Sequence, residues 1–166
     1  MKVRLCALVL IAVAFVEVRT LQAQTVRDAR APRPLVVLAR RDLRFGTVLP
    51  GIPSSVLTSD VQHAGLFEIQ GQKNGVVRVE LVLPPALTSQ DDAELPLVFG
   101  PGDASGADDR GRFHGAPFDP REPLTMTMSQ SGKLYIRLGG TVLPGRQQPG
   151  GAYQATIYLT VYDLGS

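Results

Sequence analysis

Tryptophan is absent from the 166 residues, cysteine occurs once, and neither sign of charge dominates, with 17 Lys and Arg against 15 Asp and Glu. Each shortage excludes something. A lone cysteine, Cys6, supports no intrachain disulfide framework. A near-balance of charge gives no clustered positive surface of the kind that nucleic acid or an anionic membrane requires. Apolar runs are short as well: Leu5 to Val16 is the longest, below the roughly 20 residues that cross a bilayer as a helix. No helical period of useful length follows residue 23.

The opening has its own pattern. Met1-Lys2-Val3-Arg4 is a short basic start, Leu5–Val16 is the apolar centre, and Ala23 is a small residue at the exit. These are the parts of a secretory signal peptide, with the cut expected after Ala23. Removal would take away Lys2, Arg4, Arg19 and Glu17, leaving 14 basic and 14 acidic residues and a mature net charge of zero. Cys6 would leave too, and with it any thiol catalysis or thiolate metal site. The expected organisation is residues 1–23 as signal peptide, 24–33 as a flexible polar leader and 34–166 as one folded domain. No integral membrane span remains after cleavage on this reading.

Glycine (17) and proline (13) are plentiful, and they punctuate short segments of β period. Leu35–Ala39 is an apolar run, and Leu43, Phe45 and Thr47 alternate with Arg44, Gly46 and Val48. Gly46 is expected at a bulge or a close backbone approach. Ser55–Thr58 and Leu66–Ile69 are candidate strands. In Gly75–Leu83, Val77, Val79, Leu81 and Leu83 share one face before Pro84-Pro85 stops the run. Leu97–Phe99 is a further short run, and residues 100–112 read as a loop rich in Gly and Asp. Leu124, Met126 and Met128 alternate; Leu134, Ile136 and Leu138 align; Gly139-Gly140 marks a bulge or bend. In the last segment Tyr153, Ala155, Ile157, Leu159 and Val161 face one way, with Gln154, Thr156, Tyr158, Thr160 and Tyr162 on the other. About seven to nine short strands argue for an all-β, antiparallel β-sandwich, with an up-and-down barrel as the alternative.

Two segments carry a resemblance. Asp42-Leu-Arg-Phe-Gly-Thr-Val-Leu-Pro-Gly51 is one, and Gly139-Gly-Thr-Val-Leu143 with Gly151-Ala-Tyr-Gln-Ala-Thr-Ile-Tyr-Leu-Thr-Val-Tyr162 is the other. Together they resemble the exported bacterial family known as domain of unknown function 4402, which is similar to spore-coat-U-like and fimbrial subunit domains. The resemblance runs from Asp42 to Tyr162 and is poor over residues 85–130. It implies an immunoglobulin-like sandwich at the cell surface or in a pilus-like assembly, and no catalytic residue. The partners it implies are the protein itself or other surface or fimbrial subunits.

Candidate sites are few. Asp103–Asp109 offers oxygens to a hard cation, with Asp91, Asp92 and Glu94 as further donors if folding brings them near, but the spacing is not that of a helix-loop-helix calcium site. His63 and His114 have no metal-type spacing partner, and Arg112-Phe113-His114 is read as a loop segment. Tyr153 is expected to bury its ring and keep its hydroxyl in water. The stretch 24–33, with only Val26, Ala29 and Ala31 as apolar positions, makes a poor donor strand for a neighbour's sheet. No catalytic, cofactor-binding or metal-binding residue is assigned, and no cofactor is expected. The expectation is a non-enzymatic exported subunit, structural or adhesive, pilus-like or cell-surface associated, located in the periplasm, at the cell surface or outside the cell. A secreted ligand- or carbohydrate-binding β-sandwich module is the alternative.

Overall fold

The computed structural model describes residues 33–107 and 116–165, so the signal-peptide assignment (1–23) and nearly all of the leader lie outside the described residues. The described chain is all-β. Its strands are β1 (Val36–Arg41), β2 (Ser54–Val56), β3 (Gly65–Gln70), β4 (Val76–Val82), β5 (Ala86–Ser89) and β6 (Glu94–Val98), followed by β7 (Ala104–Ala107), β8 (Leu124–Thr127), β9 (Lys133–Leu138), β10 (Gly140–Val142), β11 (Tyr153–Gln154) and β12 (Tyr158–Gly165). All pairings are antiparallel, in sheets ordered β1-β3-β9-β7, β11-β5-β6-β10-β2 and β12-β4-β8. Twelve strands exceed the seven to nine expected because β5 and β7 fall where no strand was read and the last segment divides into β11 and β12.

Alternation explains which faces meet. Val77 and Val79 of β4 are buried, while Arg78 and Glu80 project outward and bridge each other at 2.8 Å. Leu134, Ile136 and Leu138 of β9 are buried in the same way. Ile69, Val77, Val79, Met128, Leu134 and Ile136 form one core between the four-stranded and three-stranded sheets. Leu95, Leu97, Phe99, Ala104, Leu138 and Val142 form a second, and Phe67 and Phe118 pack against both. Each fully buried aliphatic side chain contributes about 1.5–3 kcal/mol, so this sandwich-like packing, rather than any staple, holds the domain.

Three expectations change. Residues 100–112 read as loop, yet Ala104–Ala107 is a strand whose four residues are all buried. Its side chains are too small to show an apolar period, and that smallness is its use: a Cβ at Gly106 would lie 2.3 Å from Met126 Cε. Leu43–Thr47, expected as a strand, belongs to no ladder; Gly46 turns there at φ +66° with open space around it, so it is neither a bulge nor a close approach. The last segment is two strands rather than one, although its facing holds: Tyr153, Ile157, Leu159 and Val161 are half-buried, and Gln154, Thr156, Tyr158, Thr160 and Tyr162 are exposed. Ala155 departs from the pattern and is exposed.

The expected bend at Gly139 is where β9 of one sheet becomes β10 of another. Its N–H donates to the Asp103 carbonyl at 2.7 Å, and an added Cβ would sit 2.3 Å from the Val56 carbonyl oxygen. Backbone cannot yield as a flexible side chain can, so Gly139→Ala should cost about 1–3 kcal/mol. Gly150→Ala, with nothing within 4 Å of the added methyl, should stay within about 0.5 kcal/mol of the parent. Urea unfolding of the two variants beside the parent checks this, and equal midpoints would contradict the close approach.

Candidate functional site: a cleft between the two motif segments

After β1 the chain is tied down by backbone-directed bonds. Arg41 Nε donates to the Ala64 carbonyl at 2.9 Å, Arg41 Nη1 donates to the Val61 carbonyl, and the Arg44 N–H donates to the His63 carbonyl at 2.9 Å. Leu43, Phe45 and Val48 then lean on the second core without joining a ladder. Opposite them runs the other motif segment, Pro149 to Ile157. Tyr153 fixes it: its hydroxyl donates to the Pro149 carbonyl at 2.7 Å and accepts from Gln148 Nε2 at 2.9 Å. Gln148 Nε2 also reaches the Glu94 carbonyl at 3.0 Å. The hydroxyl stays at the exposed surface, as expected, and is also held there by the protein.

Between these segments lies a cleft of about 1030 Å³, floored by Leu87, Leu95, Leu97 and Leu138 and walled by residues 41–48 and 148–157. Its apolar floor is the second core seen from outside, which is why Leu43, Phe45, Leu87, Tyr153 and Ile157 are only half-buried. Both walls are backbone outside any ladder at Phe45–Val48 and Ala155–Ile157. Such a site offers apolar contact and main-chain donors and acceptors that have no backbone partner among the described residues, which suits an extended segment laid along it. Among the described residues, the groups whose pKa departs clearly from its ordinary value (Asp60, Glu68, Asp119, Arg121 and Arg137) all lie outside its lining. The two motifs are about a hundred residues apart in sequence, so only the fold could reveal that they face one cleft.

The other candidates resolve into local structure. His63 Nδ1 lies 2.8 Å from Asp60 Oδ2, while Asp60 Oδ1 accepts the N–H groups of Gln62 and His63 at 2.9 and 3.1 Å. These bonds, the Gln62 N–H first, hold the Asp60 carboxyl below the usual aspartate range. Asp103 Oδ2 closes its own turn on the Gly100 N–H at 2.7 Å. Asp91 and Asp92 occupy the β5–β6 turn, where Ser89 Oγ accepts the N–H groups of Asp91 and Ala93 at 3.3 and 3.1 Å. Among the described residues, no three His, Cys, Asp or Glu gather into a group that could hold a metal ion. Asp108, Asp109, Arg112, Phe113 and His114 lie outside the described residues. Asp119 is gripped by Arg121 Nε and Nη2 at 2.9 and 2.5 Å, which lowers its pKa to about 2 and marks a tight turn at the buried Pro120.

One ion cluster was not anticipated. Glu68, its side chain only 5% exposed on the outer face of β3, meets Arg40 Nε at 2.7 Å, Gln70 Nε2 at 2.7 Å and Lys133 Nζ at 3.4 Å. It joins β1, β3 and β9. The partners are distant in sequence, so only the i, i+2 relation to Gln70 was visible beforehand. Among the described residues, no helix is long and apolar enough to cross a membrane. No protein-family model matches the chain, and no curated protein matches it significantly.

The Arg40 hydrogen bond, with Gln70 and Lys133 adding to it, holds the Glu68 carboxyl below its ordinary 4.5. A depressed folded pKa means that the cluster's stabilisation is complete above the unfolded value and is lost as pH falls through the folded one. Glu68→Gln should therefore cost about 1–2 kcal/mol at pH 7, the half-exposed partners limiting the effect. The melting-temperature gap between parent and variant should narrow as the pH drops below 4.5. A gap that is constant with pH would show that the charge contributes nothing.

Proposed function

We propose that this chain is an exported, non-enzymatic subunit, structural or adhesive, that works at the cell surface or in a pilus-like assembly. The cleft is the observation that carries the reading: an apolar floor between two unpaired lengths of backbone is a seat for an extended segment of another subunit. The signal-like opening and the two motifs that resemble exported surface domains support the same reading, because both motifs wall the cleft. A second reading, a carbohydrate-binding module, is favoured by Tyr158 and Tyr162, which are exposed on one sheet face where sugars could stack on their rings.

Gly150 lines the cleft with open space beyond it, so Gly150→Trp fills the seat while leaving the core alone. In an exporting host, parent and variant should both leave the cytoplasm with a mass that begins near Gln24 and should melt within a few degrees of each other. The parent should be retained in sedimentable surface material, and the variant should be released as free protein. Equal retention of the two would remove the cleft from the account, and an unprocessed chain held in the cytoplasm would overturn the reading as a whole.

A further inference from the structure

Most sheet margins in this fold are short or charged. β2 has three residues behind Pro53, β11 has two, β8 has four, and β1 ends in Arg40 and Arg41. β12 is different. Its eight residues form the margin of the β12-β4-β8 sheet, and among the described residues they pair with β4 on one side only. Between Tyr158 and Tyr162 it carries no charge and no proline, the devices that usually keep an edge from pairing. Its outward rings are open, Tyr158 at 63% and Tyr162 at 47% exposure.

That stretch, Tyr158-Leu-Thr-Val-Tyr162, reads almost the same in both directions. We infer that β12 is a homodimerisation edge, pairing antiparallel with β12 of a second copy about a two-fold axis at Thr160. Symmetry restricts the choice of register. In an antiparallel sheet a residue's N–H and C=O point to the same side and alternate along the strand. Two identical edges can therefore pair only residues of like parity, and the axis must pass through a residue. With the axis at Thr160, Tyr158 opposes the second copy's Tyr162 twice, Leu159 opposes Val161 twice, and threonine meets threonine. Aromatic, aliphatic and hydroxyl pairs of this kind are the favourable cross-strand partners.

The neighbouring registers are worse. An axis at Val161 sets Asp163 against Leu159, and an axis at Leu159 draws in Ile157, which has left the ladder. At Thr160 the overlap stays inside β12 and ends before the register shift at Asp163–Gly165. Charge is compatible as well. Arg78 and Glu80 already neutralise each other on β4, and no ionisable side chain on β12 opposes one of its own sign across the joint. The result is a continuous six-stranded sheet, β8-β4-β12 followed by its two-fold copy. This edge is separate from the cleft, so the inference does not depend on what the cleft holds.

Sedimentation velocity of the purified protein over a wide concentration range tests it, together with Thr160→Lys, Thr160→Glu and their equimolar mixture. Thr160 is exposed, so both variants should keep the parent's cooperative melting. The parent should double in mass as concentration rises. Each variant alone should remain monomeric where the parent is dimeric, because like charges then meet on the axis. The mixture should regain the dimer through opposite charges, which a merely structural role for Thr160 would not produce. A parent that stays monomeric throughout would overturn the inference, as would a dimer indifferent to Thr160→Lys or a mixture that stays monomeric. A monomer whose tyrosine fluorescence is quenched by β-glucan oligosaccharides would overturn it in favour of sugar binding at the same rings.

Discussion

Proline has no N–H to give, and that constraint at Pro84-Pro85 shapes much of this domain. β4 and β12 run paired from Val76 to Val82, and β5 and β11 pair again at Thr88 and Ser89. Between them the residues around the two prolines face Ala155–Ile157, and no ladder forms. The register shifts by two across the gap, from Tyr158 opposite Val82 to Tyr153 opposite Ser89. One long pair of strands thus becomes two, each in its own sheet. Where the pairing lapses, the second core stands open as the cleft.

A second crossing keeps the break from splitting the molecule. At Gly139 the chain passes from the four-stranded to the five-stranded sheet, pressed against the Val56 carbonyl and bonded to that of Asp103. Leu138 sits just before this crossing in the second core, while Ile136 belongs to the first. Phe67 and Phe118 touch both clusters. The cores are therefore mechanically joined, and the cleft opens at the edge of a packed body rather than between loose parts.

Much of this was legible in the sequence where side chains are large and alternate. The buried faces of β4 and β9, the bend at Gly139 and the inward set Tyr153, Ile157, Leu159 and Val161 all follow from period and from glycine. Ala104–Ala107 was not legible, because a strand of small residues carries no hydrophobic signal and is buried by what packs over it. Leu43 and Phe45 misled in the opposite sense: alternation correctly placed their side chains in the core, but it cannot say whether the backbone has a partner. The site was less legible than the fold. Its two walls were visible as motifs, yet their convergence, the Gln148–Tyr153 clasp and the Glu68 cluster all join residues that only tertiary structure brings together.

The functional account rests on unpaired backbone lining an apolar cleft, and amide hydrogen exchange reads that property residue by residue. The amides of Ala155, Thr156 and Ile157 should exchange far faster than the ladder-bonded amides of β4 and β9 on either side of the core. Protection of residues 155–157 equal to that of β4 in the purified protein would mean that the ladder is closed there, and it would contradict the cleft as a seat for another chain.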